Sequence, residues 1–279
     1  MTGESAKVVV RKVEGGNAHT VDDCVAVEEP LEIRLGYSRG SNRVRRSISI
    51  TMRTPGHDEE LAVGFLFTEG IIRDRDCIES IAVGVEQSGN IVTVELKSGV
   101  AVEIDRLERH FYTTSSCGVC GKASLEALKL SPRHPMPPPD EPRVPASLVH
   151  QFPALLRDRQ SAFASTGGMH ASALLEPSGN LIAVREDVGR HNAVDKLVGR
   201  QVLAGRVPLS GTLLFVSGRT SFEILQKALA AGLPWVAGIG APSSLAVEVA
   251  NSFGMTLSGF VRDNRYNVYS GAGRIVEDV

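Results

Sequence analysis

Apolar and polar residues alternate with a period of two through much of the first hundred positions, in Lys7-Val-Val-Val-Arg-Lys-Val13, Leu31-Glu-Ile-Arg-Leu35, Ser47-Ile-Ser-Ile-Thr-Met52, Ile91-Val-Thr-Val-Glu-Leu96 and Val100-Ala-Val-Glu-Ile104. Successive side chains of a strand point to opposite faces, so this alternation predicts half-buried strands. The period changes in His57-Asp-Glu-Glu-Leu-Ala-Val-Gly-Phe-Leu-Phe67, where acids in the first turn, an apolar stripe and a stop at Gly70 predict a helix. Strands around one helix predict a small α+β roll over residues 1–110.

Proline ends that pattern, since it neither donates to a ladder nor continues a helix. The run Ser131-Pro-Arg-His-Pro-Met-Pro-Pro-Pro-Asp-Glu-Pro142 reads as an extended linker closing a middle region, residues 111–145. From 146 to 279 strands and helices alternate. Ala171–Leu175 and Leu181–Val184 flank Glu176-Pro-Ser-Gly-Asn180 and predict a hairpin. Helix Ala193–Leu203, strand Thr212–Val216, helix Phe222–Ala231, strand Trp235–Ile239, helix Ser244–Phe253 and strand Thr256–Val261 follow. Apolar strands joined by crossover helices predict a largely parallel or mixed sheet covered on both faces, with its site at strand carboxyl ends.

Composition narrows the partners. A chain of 279 residues with 42% hydrophobic content suits one large or two ordinary domains, and a net charge of −2 offers no basic field, so no nucleic-acid partner is expected. Apolar runs such as Thr212-Leu-Leu-Phe-Val-Ser217 fall far short of the roughly 20 residues that cross a bilayer, so no membrane partner is expected. Four cysteines and a polar start, Met1-Thr-Gly-Glu-Ser-Ala-Lys7, predict the reducing cytoplasm.

Two of those cysteines carry the clearest chemistry. In Thr113-Thr-Ser-Ser-Cys117-Gly-Val-Cys120-Gly-Lys122, followed by the periodic run Ala123–Leu130, two thiols stand where a loop becomes a helix. Unpaired N–H groups, the helix dipole and Lys122 favour thiolate there. Three chemistries compete. A structural zinc site needs a second close pair, which Cys24 and Cys77 do not form, so no structural metal is expected. A dithiol redox couple normally follows a buried strand, whereas Arg109-His-Phe-Tyr-Thr-Thr-Ser-Ser116 is polar; a sulfur relay is the third. Gly118, Gly121 and the later prolines leave few apolar contacts to offset ordering entropy, which predicts a mobile sulfur arm.

A second chemistry gathers at strand ends. Thr166-Gly-Gly-Met-His170, Arg185-Glu-Asp-Val-Gly-Arg-His-Asn192, Ser217-Gly-Arg-Thr-Ser221 and Gly238-Ile-Gly-Ala-Pro-Ser-Ser244 put small residues, hydroxyls and basic groups at helix starts. Backbone N–H groups and the dipole attract phosphate at such places, although Ser221 and Ser244 also read as simple caps. Arg190 and Arg219 are the phosphate candidates. His170 and His191 are candidate proton carriers, and His191, beside Asp187 and Asp195, equally suits a helix-start hydrogen bond.

Together, Ser116-Cys-Gly-Val-Cys-Gly-Lys122, Thr166-Gly-Gly-Met-His-Ala171, Glu186-Asp-Val-Gly-Arg-His-Asn-Ala-Val-Asp-Lys196, Val216-Ser-Gly-Arg-Thr-Ser-Phe-Glu223 and Gly240-Ala-Pro-Ser-Ser-Leu-Ala246 resemble the formate dehydrogenase accessory sulfurtransferases, the FdhD family. The match runs from the amino-terminal strands to Tyr269. The resemblance implies a cytidine-deaminase-like three-layer domain behind the roll and a homodimer. It implies that a cysteine desulfurase passes persulfide sulfur to the loop of Cys117 and Cys120; Cys117, farther out on the glycine-containing loop, is the expected carrier, with Cys120 at the helix start assisting or sharing it. The sulfur then goes to the bis(molybdopterin guanine dinucleotide) molybdenum cofactor before insertion into formate dehydrogenase. A family cofactor segment maps onto Phe260, Val261, Arg262, Asp263, Asn264 and Arg265, joined by Ser217, Arg219, Thr220 and His170. Asp263 suits a guanine edge, Arg262 and Arg265 suit phosphate oxygens, and GDP is the expected mimic of the cofactor. The same stretch also reads as a charged turn before Asn267-Val-Tyr269. Zinc-dependent deamination is not expected, because His170-Ala-Ser172 lacks the required glutamate and precedes no Pro-Cys-x-x-Cys. A thiol redox enzyme and a non-catalytic cofactor-binding chaperone are the alternatives.

Overall fold

A computed structural model describes residues 3–86, 89–102 and 134–277. Cys117, Cys120, the helix expected after them and the expected mobile arm lie outside the described residues. Strands β1 (Ser5–Glu14) and β2 (Asn17–Ala26) form an antiparallel ribbon that joins no other sheet among the described residues. Its turn is Gly15-Gly16, at φ +56° and +86°, a conformation other residues resist. The sequence reading found β1 but not β2. The ribbon is mostly exposed, with no fully buried residue, so polar Asp22 and Asp23 leave no alternating signal.

The roll sheet has the order β4-β3-β6-β5, with β3 (Glu29–Arg39), β4 (Asn42–Arg53), β5 (Ile78–Glu86) and β6 (Gly89–Leu96). Leu31, Ile33, Leu35 and Tyr37 of β3, with Val92, Val94 and Leu96 of β6, face inward and are buried. They pack on helix α1 (Asp58–Thr68), which begins one residue after the expected start and carries Asp58, Glu59 and Glu60 in its first turn. The strand expected over Val100–Ile104 does not form in its described part. Val100 and Val102 pack on the core as irregular chain, and β5 pairs with β6 instead.

The larger sheet has the order β13-β12-β11-β10-β8-β9. Its strands are β8 (His170–Leu175), β9 (Leu181–Asp187), β10 (Leu213–Val216), β11 (Trp235–Gly238), β12 (Thr256–Arg262) and β13 (Arg265–Ser270). The sheet is mixed rather than largely parallel: only β10–β11 and β11–β12 run parallel. The short links β8–β9 and β12–β13 are hairpins, whose tight turns permit antiparallel pairing alone. Leu213 and Phe215 face a cluster with Trp235, Val149 and Phe152 from the short helices α2 (Ala146–Val149) and α3 (Phe152–Arg157). Leu214 and Val216 face the opposite way, into the cluster shared with α1 and the roll. Helices α5 (Arg190–Leu203), α6 (Phe222–Ala230) and α7 (Ser244–Ser252) contribute to that layer, while α4 (Ser161–Thr166) lies against the ribbon.

Two contacts hold the pieces in register. At the crossing of α1 and α5, a Cβ on Gly64 would overlap the carbonyl oxygen of Asp195, and one on Gly199 would overlap that of Glu60. Backbone therefore lies directly on backbone. Farther along, fully buried Arg274 donates to the carbonyls of Pro138 (3.0 Å), Glu141 (2.5 Å) and Gly254 (2.9 Å) and to the Thr256 hydroxyl (3.2 Å). It clamps the proline-rich segment to the start of β12, beside the short pairing of β7 (Val144–Pro145) with β14 (Ile275–Val276).

Gly199→Ala should cost about 3 kcal/mol or prevent folding, because neither backbone can yield to the added methyl. Gly211→Ala, at an exposed site with nothing within 4 Å, should change stability by less than about 0.5 kcal/mol. Chemical denaturation of the two variants checks the contrast; equal stability would mean that the helices do not touch there.

A loop array at the carboxyl edge of the mixed sheet

The chain turns of β8, β10, β11 and β12 meet at one edge because their backbones bond to one another. Ser217 N donates to Ala171 O and Ala171 N to Ser217 Oγ, both at 2.9 Å. Ile239 N donates to Val216 O, Gly240 N to Gly218 O, and Phe260 N to Gly240 O, each at 3.1 Å. His170, Ser217, Gly240 and Phe260 thus stand in a single row. Small residues are required here: a Cβ on Gly240 would come 2.9 Å from Arg219 Cα, too close for any real contact. Thr220 N donates to Ala241 O and Ser243 N to Thr220 O, which aligns the starts of α6 and α7.

The expected site residues take different places in this array. Arg219 is exposed. Thr220 is fully buried, and its hydroxyl has no hydrogen-bond partner among the described residues. Phe260 is 39% exposed and sits at φ +53°, a strained left-handed conformation for a side-chain-bearing residue. Val261 is buried. The Arg262 guanidinium donates to Ile239 O (3.0 Å) and Val261 O (3.1 Å), which fastens it to the end of β11. Asp263 and Asn264 form the exposed β12–β13 turn, and Arg265 pairs across it with Arg262. The stretch anticipated as either a cofactor segment or a charged turn takes the form of the end of β12 and a hairpin tip. Of the two expected caps, α7 is capped by Ser243 rather than Ser244, through a 3.2 Å bond from Ala246 N, and Ser221 makes no side-chain cap bond.

Arg190 and His191 lie in the first turn of α5, which starts three residues earlier than its apolar pattern suggested. His191 Nε2 is 3.5 Å from Ser221 Oγ, so the starts of α5 and α6 are neighbours. Burial, with Lys227 and Arg190 adding to it, lowers the His191 pKa to about 4. The ring is neutral near pH 7 and accepts or donates hydrogen bonds rather than carrying protons there. Burial and Arg190 also lower His170, against the opposing pull of Asp187.

Sequence reasoning missed the buried charge network beneath these loops. Asp187 and Lys196 pair at 2.7 Å, with side chains 0% and 2% exposed. Asp187 Oδ1 also accepts from Gly189 N (2.8 Å) and Asn192 Nδ2 (3.0 Å). A second pair, Lys227 with Asp195 at 2.9 Å, is joined by Thr68 and Glu69 at the end of α1. The available signal was Asp195-Lys196 inside the otherwise apolar run Ala193-Val-Asp-Lys-Leu-Val198 of a helix: charges on a buried face need partners.

The architecture defines a mixed α/β protein in which a glycine- and hydroxyl-rich loop array at the ends of parallel strands is joined to a β roll. The chain belongs to the FdhD/NarQ family, whose model matches residues 26–276. It is 46% identical over 278 residues to the sulfur carrier protein FdhD of Streptomyces coelicolor, covering 98% of this chain and 95% of that one. It is 47% identical over 273 residues to the FdhD of Mycolicibacterium paratuberculosis (95% and 97%), and 40% identical over 264 residues to that of Saccharolobus solfataricus (95% of each). A crystal structure of a formate dehydrogenase accessory protein from Desulfotalea psychrophila is similar in fold, with a TM-score of 0.75 at 26% identity, covering 98% of this chain and 100% of that one.

Lys196→Met should destabilise the protein by about 3–5 kcal/mol, since it leaves the Asp187 carboxylate buried and unpaired. The double variant Lys196→Met/Asp187→Asn should recover part of that loss in urea titrations. A pH series supplies an independent check. The folded-state pKa of His191 lies below its ordinary value of 6.5, so protonation favours the unfolded chain. Stability should therefore fall as pH drops from about 6.5 towards 4, and His191→Gln should flatten that part of the curve; parallel curves for variant and wild type would remove His191 from the balance.

Proposed function

We propose that this chain is a sulfur carrier that matures formate dehydrogenase by sulfurating its bis(molybdopterin guanine dinucleotide) molybdenum cofactor, acting in the cytoplasm as a homodimer. The observation that carries the reading is near-full-length similarity, at 40–47% identity, to proteins named sulfur carrier protein FdhD, together with Cys117-Gly-Val-Cys120 in this chain. A thiolate at Cys117 attacks the terminal sulfur of a cysteine desulfurase persulfide. The donor S–S bond breaks, the desulfurase cysteine leaves as thiolate, and a new S–S bond forms on Cys117. Attack by Cys120 thiolate on the inner sulfur then releases sulfide for the cofactor and leaves a Cys117–Cys120 disulfide, which a dithiol reductant reopens.

The cofactor is the substrate, and the loop array suits its nucleotide ends. The Arg219 guanidinium, the Ser217 and Thr220 side chains and the start of α6 offer cationic, hydroxyl and N–H groups to a diphosphate, with His170 in the row and Arg265 at the hairpin tip. Asp263 at the hairpin tip offers paired acceptors to guanine N1–H and N2–H₂. The sheet with helices on one face and α2–α3 on the other is compatible with a cytidine-deaminase-like arrangement.

Incubation with a cysteine desulfurase and cysteine should add one sulfur atom to Cys117 by mass analysis, and Cys117→Ala should abolish both that mass shift and formate dehydrogenase activity in cells. Wild-type activity in the Cys117→Ala strain would sink the relay. Calorimetry should find GDP bound independently of the thiols: about tenfold weaker in Arg219→Ala or Asp263→Ala, consistent with one lost charge-assisted bond, and unchanged in Cys117→Ala. Equal affinity for ADP and GDP would remove Asp263 as the guanine reader.

A further inference from the structure

Thr54, directly after the roll strand β4, is 1% exposed and bonds with every polar atom to the other half of the molecule. Its N–H donates to Asp187 Oδ2 (3.2 Å), and its carbonyl accepts from Lys196 Nζ (2.8 Å). Its hydroxyl accepts from Val188 N (3.2 Å) and donates to Met169 Sδ (3.4 Å). Met169 adjoins His170, and Val188 stands two residues before Arg190. Neighbouring bonds run the same way: Asn192 Nδ2 donates to Met52 O (2.8 Å), and Thr51 Oγ1 to Asn192 Oδ1 (3.2 Å).

We propose that Thr54 is a positioning residue of the anion-binding edge, its hydroxyl setting the 167–170 and 187–192 loops so that His170 and Arg190 face the ligand together. The inference rests on the reading of that edge as the nucleotide site. The division of labour within Thr54 makes it separable from stability. Its backbone bonds to Asp187 and Lys196 do not depend on the side chain and survive every substitution but proline, so the buried ion pair and the joint between the halves are retained. Only the hydroxyl touches both loops at once. Removing it leaves the Val188 N–H without its acceptor and frees Met169, which lets each loop settle independently.

Thr54→Val preserves shape and deletes the hydroxyl, whereas Thr54→Ser keeps it. GDP titrated into the full-length protein by calorimetry should bind Thr54→Val about tenfold more weakly and Thr54→Ser within about twofold of wild type, the loss being that of one buried hydrogen bond passed on to loop geometry. A merely structural role would lower the melting temperature and the stoichiometry of binding while leaving Kd unchanged, and would overturn the proposal. An equal weakening in both variants would overturn it too. A measurement on the wild type covers the case in which Thr54→Val fails to fold: GDP should shift the Val188 and Gly189 amide resonances and the His170 ring signals, and silence there defeats the inference. Wild-type protein that binds no GDP refutes the nucleotide reading itself, a result distinct from wild-type binding that is insensitive to Thr54.

Discussion

Everything in this molecule depends on two helices being allowed to touch. With glycine at 64 and at 199, α1 of the roll lies on α5 of the mixed sheet at backbone distance, and no side chain can be interposed. That closeness brings charged neighbours within reach from both halves: Arg185 forks onto Glu60 at 2.5 and 2.6 Å, and Lys227 meets Thr68 at 3.0 Å. Burying these charges is costly unless each is paired, so the pairs fix the angle and register of the crossing rather than adding much net stability. Close approach gives adhesion; the charge pattern gives uniqueness.

From that joint the edge follows by geometry. Fixing α5 fixes its first turn and hence Arg190 and His191, while Glu186, just upstream, accepts from Ala162 and Phe163 N–H groups and so holds the start of α4. The β10, β11 and β12 ends are then drawn into one row by bonds between successive turns, with glycine wherever two backbones must pass. An edge built in this way is rigid, because each turn is held by backbone bonds to the turns beside it.

How much of this was written in the residue pattern depends on where each element hides its apolar side. The strands β3, β4 and β6 and the helices α1, α6 and α7 each bury one face or both against a single layer, and their periodicity was plain. Ribbon β1–β2 buries almost nothing, so its second strand left no trace. The β8–β9 hairpin was legible in Glu176-Pro-Ser-Gly-Asn180 and the β12–β13 turn in its charged residues, whereas the share of parallel pairs was not, because strand period carries no information on direction. For the edge, the glycine- and hydroxyl-rich turns were legible one by one, and the structure draws them into a single row. Thr54 did not, since Thr-Pro-Gly after a strand reads as an ordinary turn; its importance lies in partners more than 110 residues away, at Met169, Asp187 and Val188.

The arginine clamp has a consequence for the order in which the chain comes together during synthesis. The carbonyl acceptors at Pro137, Pro138 and Glu141 are made early, yet their donor lies 137, 136 and 133 residues later. Until residue 274 has left the ribosome, the proline-rich segment has no guanidinium to close on, whatever the roll has already achieved. The amino-terminal half is thus free to fold as it emerges, while the proline-rich segment gains its guanidinium clamp only after more than 130 further residues have been made, so that closure of this segment lags behind folding of the roll.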